Sequence, residues 1–270
     1  MKPFILFSVF FTFLGSALHA SDDLRLPDAR SLAMGNDRAT QSAFFNPSLI
    51  ALLDQRSFTL LYSNKYGMRE LATAGFFFSC PNRALPFGFH LSSFGFSRYR
   101  ESMGRVCFGK RLFSFLAAGA SIQYGALQSE IYENILQRLS SDIGLTFLPV
   151  DNVLIALLIN DIPAFSFGDT SIENKDFESH SYCVGFQWTV INGLLITSAC
   201  HVDEHRKTAV SLGMEYEAFP RFAFRAGLQS DPFVPSIGVG AGSSRFSFDT
   251  AALWHPQLGV NVALSVSFLF

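Results

Sequence analysis

The chain has 270 residues, of which 49% are apolar and 15% aromatic, with 31 Phe and a formal net charge of −2. Only 16% are charged, against about 25% in an ordinary soluble domain, and the slightly negative charge argues against nucleic acid as a partner. Beyond the first 20 residues no stretch reaches the roughly 18 consecutive apolar residues of a transmembrane helix, so the hydrophobicity is spread along the chain.

Residues 1–20 carry Lys2, an apolar run from Phe4 to Leu14 and a small-residue end at Leu18-His19-Ala20. This reads as a secretory signal with cleavage after Ala20, or after Ala17, and it is too short to span a bilayer. With no cysteine near the junction, a lipid-anchored amino-terminus is not expected.

Residues 21–56 show no two-residue alternation. They contain Ala29-Arg30-Ser31-Leu32-Ala33-Met34-Gly35 and Phe45-Asn46-Pro47-Ser48-Leu49-Ile50-Ala51, where Pro47 can open a short helical turn and Asn46 can cap it. From residue 57 to residue 270 the pattern changes to strands that alternate large apolar residues with small or polar ones. The last, Asn261 to Phe270, places Val262, Leu264, Val266, Phe268 and Phe270 on one face and ends on an aromatic residue. One apolar row toward lipid and one more polar row toward a lumen is the signature of an outer-membrane barrel.

Tight turns are expected at 81–84, 111–112, 150–152, 192–193, 219–220 and 243–245. Longer connections are expected at 64–69, 97–101, 127–140, 161–178, 203–206, 230–235 and 255–259. Together they separate about 14 strands, with 12 to 14 compatible with the pattern. The expected fold is all-β, an antiparallel transmembrane β-barrel with the 21–56 segment as an internal hatch, in the outer membrane with the long loops outward. Val153–Ile159 is apolar on both faces, so its inner row needs a neighbour inside the barrel. Phe77, Phe94 and Phe96 are expected to line an apolar interior. Trp188, Tyr216 and Phe270 are expected at the periplasmic interface, Tyr124 and Trp254 at the outer one, and Phe224 near mid-wall.

The two amino-terminal motifs resemble those of the long-chain fatty-acid transporter (FadL-like) barrels and their PorV/PorQ relatives, which open with an Ala-Arg-x-x-Ala-Met-Gly element followed by an aromatic-Asn-Pro element. The carboxyl-terminal Arg225-Ala-Gly227, Phe248-Asp249 and His255-Pro256-Gln257-Leu258-Gly259 are similar to the PorV/PorQ ending. The sequence departs from the family pattern at Thr40-Gln41-Ser42, which replace an acidic pair, and at Ser48 and Ile50. The resemblance implies a 14-stranded barrel with Ala29, Arg30, Met34, Gly35, Asn46 and Pro47 as the hatch motif. It also implies either a plugged channel for hydrophobic solutes or a non-transporting scaffold in a protein-secretion or surface-attachment machine. The corresponding partners are outer-membrane lipid, a hydrophobic small molecule, or secretion-machine proteins.

Catalytic motifs are absent: there is no Gly-x-Ser-x-Gly elbow, no His-Glu-x-x-His and no phosphate-binding loop. No enzyme activity, cofactor or metal is expected. His201-Val-Asp-Glu-His205 has the composition of a metal site but falls in an expected loop, where a solvated tip is the simpler reading. The four cysteines fall on faces that preclude pairing. Folding the last strands about their turns brings Arg225 and Asp249 to one level across Gly240 on the inner row, where an ion pair is expected.

Overall fold

The computed structural model describes residues 28–130, 135–167, 180–203 and 208–270. The candidate leader at 1–20 and Glu204 and His205 of the candidate metal motif lie outside them. The strands are β1 (Ser57–Asn64), β2 (Ala72–Cys80), β3 (Phe87–Phe96), β4 (Tyr99–Phe113), β5 (Leu116–Ser129), β6 (Leu136–Val150), β7 (Val153–Asn160) and β8 (Ala164–Phe167). They continue as β9 (Ser181–Ile191), β10 (Leu194–Asp203), β11 (Ala209–Phe219), β12 (Phe222–Gln229), β13 (Val234–Gly242), β14 (Phe246–His255) and β15 (Gly259–Leu269).

Every pairing is antiparallel. β1 pairs with β2 on one side and with β15 on the other, so 14 strands close into a barrel and β8 is one extra strand. Closure gives each of these 14 strands a neighbour on both sides, as backbone in hydrocarbon requires. Among the described residues no helix is long and apolar enough to cross a membrane. The outer row is apolar and exposed: Leu60, Ile122 and Ile237 keep 54%, 60% and 66% of their surface, values that lipid but not water explains. Trp188, Tyr216, Phe270, Tyr124 and Trp254 all lie on this exposed row.

Several expected boundaries shift. The turn expected at 111–112 falls at 114–115, because β4 continues through Phe113. The connection expected at 97–101 is only residues 97–98, and most of the loop expected at 127–140 is strand. Phe96, expected inside, is 40% exposed because it ends β3 beside that short turn, whereas Phe77 and Phe94 are buried. Phe224 is not at mid-wall: it pairs with Tyr216 two residues after the start of β12, level with the tight-turn rim.

The largest departure is in the wall itself. Residues 161–178 read as a loop, yet β8 returns to β6 at Ser140↔Ala164 after β7 has left it at Ile143↔Ile159. A step of 3 residues along β6 thus faces a step of 5 on the other side, a two-residue insertion centred on Asp161, which takes left-handed φ +62. β9 pairs with β7 only as far as Asn160↔Ser181, and β8 has no second partner strand among the described residues. The ladder is therefore interrupted toward the long-loop end of the wall.

Ahead of β1, the regular elements among the described residues are a short helix α1 (Ala29–Ala33) and a 3-10 helix (Pro47–Leu52). Helix α1 contacts β12 to β15, while the 3-10 helix contacts β3 to β6 across the barrel. Both touch the row of side chains that points away from the exposed face, so residues 28–52 occupy the lumen at its tight-turn half.

Candidate functional site

The lumen wall is shaped to receive a backbone. Gly109, Gly119 and Gly144 are cross-strand partners in one row of β4, β5 and β6. A Cβ on Gly119 would stand 2.4 Å from the carbonyl carbon of Pro47, and one on Gly144 would stand 2.0 Å from the Asn46 side-chain oxygen. Bare backbone is what lets Asn46-Pro47 lie directly on the wall. Asn46, fully buried, caps the 3-10 helix: its Oδ1 accepts from the Ser48 amide at 3.1 Å and from Ser48 Oγ at 2.6 Å, and its amide donates to Ala39 O at 2.8 Å. The Ser48 hydroxyl also meets Thr146 Oγ1 of β6 at 2.6 Å.

On the opposite wall, Ala29 N donates to Ser265 Oγ at 2.8 Å and Ser236 Oγ donates to Ala33 O at 3.0 Å. Ala29, Leu32 and Ala33 pack against Val234, Ala251, Leu253 and Ala263. Met34 is buried, and Gly35 takes φ +76 with its α-carbon face against Leu212 O and Leu228 O, where any side chain would be strained and crowded. The two-sided apolar strand β7 finds its inner neighbour here: Leu154, Ala156 and Leu158 cluster with Ala39, Phe45 and Leu49.

Two charge clusters hold the segment. In the first, Arg30 grips Glu215 with two hydrogen bonds, Nε to Oε2 at 2.9 Å and Nη2 to Oε1 at 2.8 Å. Arg225 Nε donates to the same Glu215 Oε2 at 2.5 Å, and its Nη1 donates to Asp249 Oδ1 at 2.7 Å. The guanidinium of Arg225 lies over Gly240, where a Cβ would come within 2.6 Å of it. A cavity of about 280 Å³ at the tight-turn end is lined by Arg30, Glu215, Arg225, Asp249 and Ser247. Glu215 is a residue the sequence reading missed, although it was reachable: it is the register partner of Arg225 across the turn at 220–221.

In the second cluster, Arg105 of β4 pairs with Asp142 of β6 at 2.8 Å, with both side chains at most 1% exposed. Arg105 also donates to the carbonyls of Phe44 at 2.5 Å and Phe45 at 2.7 Å. Asp142 accepts from Ser121 Oγ and from the amide of Asp161, both at 2.9 Å, so it ties the clamp to the wall interruption. Arg138 and Gln123 complete the connection, reaching Asp161 Oδ1 at 3.1 and 2.8 Å. The two clusters share a plan: an Arg and an Asp two strands apart meet over a small inward residue of the intervening strand, Gly240 in one case and Ser121 in the other.

Two acids of the segment itself are buried. Burial pushes the Asp28 carboxyl above its ordinary value, against the pull of hydrogen bonds from Ser31 and Ser42. Burial likewise raises Asp37, which accepts from the Ala39 and Thr40 amides at 3.0 Å each.

All four cysteines are free, with Cys107 and Cys183 buried on the inner row. His201 of the candidate metal motif lies 3.7 Å from Cys183 Sγ. Among the described residues no group of His, Cys, Asp and Glu is arranged to hold a metal ion.

No family model and no curated protein matches the chain by sequence. Solved structures match by shape. The Pseudomonas putida toluene transporter TodX superposes with a TM-score of 0.64 at 13% identity, covering 92% of this chain and 99% of its own. A Pseudomonas aeruginosa FadL homologue gives 0.62 at 11% identity, covering 91% and 99%. The Acinetobacter baumannii outer-membrane protein Omp33 gives 0.53 at 10%, covering 82% and 100%. The fold is that of a FadL-like outer-membrane barrel.

Proposed function

We propose that this barrel is a plugged channel for small hydrophobic solutes, in which residues 28–56 act as a hatch and the solute leaves through the wall. The observation that carries the reading is the combination of a firmly seated plug with an interrupted ladder beside it. The plug lies on glycine backbone and is held by two charge clusters, so moving it to let a solute past would break the Arg30–Glu215 pair and strip the Arg105 guanidinium of the Phe44 and Phe45 carbonyls; hydrogen bonds to charged groups contribute about 1.5–3 kcal/mol each. The wall offers a less costly exit, because β8 and β9 share no ladder pairing among the described residues.

Phe94, Leu61, Met103 and Leu127 supply apolar groups to the inner row, and Phe77 adds one against the plug itself. This supports an apolar rather than an ionic cargo. TodX, a toluene transporter by its description, lends the same reading by analogy of fold.

The test is uptake of an apolar dye into vesicles whose outer leaflet is lipopolysaccharide, which slows passive entry. Uptake well above that of protein-free vesicles, with no ionic conductance, supports the channel. No acceleration, together with stoichiometric protein partners recovered from detergent-solubilised outer membrane, would instead favour the scaffold of PorV/PorQ type.

A further inference from the structure

Where the plug meets β3, the lumen wall holds polar groups that nothing satisfies. His90 is 1% exposed, yet neither Nδ1 nor Nε2 has a hydrogen-bond partner. Its register partner on β4 is Arg105, whose Nη atoms hold Phe44 O and Phe45 O while its buried Nε also has no acceptor. An imidazole in its uncharged form offers one donor and one acceptor, and a guanidinium Nε offers a donor. Buried polar groups left unpaired in this way are rare and costly.

What lies against them is a ring. Phe44 of the plug sits 4.4 Å from the Phe77 ring and 6.1 Å, edge to face, from the His90 ring, and Phe77 is a further 6.4 Å from His90. Phe44 is only partly buried, in contrast to the 1% exposure of Phe45 beside it. Its ring can therefore turn toward the open lumen without the backbone leaving the Arg105 clamp. The side chain fills an aromatic slot but brings no polar atom to the two groups at its base.

We infer that Phe44 is an internal stand-in for a ligand, and that the slot between Phe77 and His90 takes a hydroxylated single-ring aromatic, a phenol-type solute. A phenolic hydroxyl both donates and accepts, so it can donate to the acceptor nitrogen of His90 while accepting from Arg105 Nε. The ring itself replaces Phe44 against Phe77, in the tilted packing already seen there. This assignment rests on the channel reading for the route by which the solute arrives, and it adds a chemical class to it.

The experiment compares 4-fluorophenol with fluorobenzene by fluorine NMR titration of the detergent-solubilised barrel. 4-Fluorophenol is expected to bind about tenfold or more tighter, since a site with unpaired polar groups discriminates strongly for a hydroxyl. His90→Leu should abolish that preference, bringing the affinities for the two solutes together. Phe44→Ala, which vacates the slot without touching its polar base, should tighten both ligands and provides the check if the His90 variant fails to fold. Equal affinity for the two solutes in the unaltered barrel, or no change in either on Phe44→Ala, would overturn the inference and leave His90 a packing residue. Dye uptake on the same preparations separates the two claims. Uptake without phenol preference removes the subsite and keeps the channel, whereas phenol preference without uptake keeps the subsite and removes the channel.

Discussion

Replacing Arg105 by Met removes the centre of the rear clamp. Asp142 is then left fully buried without the Arg105 counter-charge, keeping the Ser121 hydroxyl and the Asp161 amide, and the carbonyls of Phe44 and Phe45 lose the Arg105 donors. Breaking a buried pair from one side costs about 3–5 kcal/mol because the remaining charge stays desolvated. Two surviving hydrogen bonds to the carboxylate place R105M toward the lower end of that range. Removing both charges in R105M/D142L should recover much of the loss, since an apolar pair of similar volume carries no desolvation penalty. The assay is a urea unfolding titration of the barrel refolded in lipid vesicles, combined as a double-mutant cycle. A loss below about 1 kcal/mol in R105M, or strictly additive single losses in the double variant, would show that the pair does not anchor the segment as described.

Further consequences are local. Met214, in the middle of β11 on the lipid row, should lose on the order of 2–4 kcal/mol of insertion stability on change to Lys, whereas F224K near the rim should lose about 0–1; equal losses in the titration would refute the wall depths assigned here. Gly119→Val drives a side chain into Pro47, so hydrogen exchange of residues 45–52 should quicken while the strands stay protected; unchanged exchange would mean the plug does not lie on that glycine. Because burial raises Asp28 and Asp37, their contribution to stability is complete below the ordinary carboxylate value of about 4 and is lost as pH rises through the raised values. Exchange of residues 28–40 should accordingly quicken from acid toward neutral pH, and D37N should flatten that slope; an unaltered slope in D37N would contradict it.

Much of the wall is legible in the chain because a half-lipid, half-lumen strand must alternate. Leu60, Val266 and Phe76 fall on one face whatever the precise turn residue, because each strand's faces follow from its own two-residue period and the three-residue error at the turn after β4 leaves that alternation untouched. Turn-centred folding also reaches Arg225 and Asp249, which the structure sets 2.7 Å apart, but on a diagonal and not at the one level expected, since Arg225 faces Gly238 and Asp249 faces Gly240. The same operation about residues 220–221 reaches Glu215, and only the focus on the last three strands hid it. Arg105 and Asp142 are harder to find: they sit on strands separated by the whole of β5, and their register passes through the end of β4, where the expected turn was misplaced. The β7–β8 interruption is harder to read because β8 is only four residues long: Phe165 and Phe167 do alternate with Ala164 and Ser166, but the Asp161-Ile162-Pro163 step before them reads as the start of a loop. His90 is invisible for a different reason. A lone His on an inner row usually has a partner, and only coordinates show that this one has none.

The proposed exit route is tested most directly by whether solute passes while the plug stays in place. Ser48 and Thr146 bring their hydroxyls to 2.6 Å, so S48C/T146C, with the four native cysteines replaced by Ala, can be oxidised to lock the plug to β6. Dye uptake by vesicles carrying the locked barrel should match that of the unlocked one, because the proposed exit, through the wall between β8 and β9, does not require the plug to move. Uptake that falls to the protein-free level on oxidation and returns on reduction would place the route past the hatch and contradict the account.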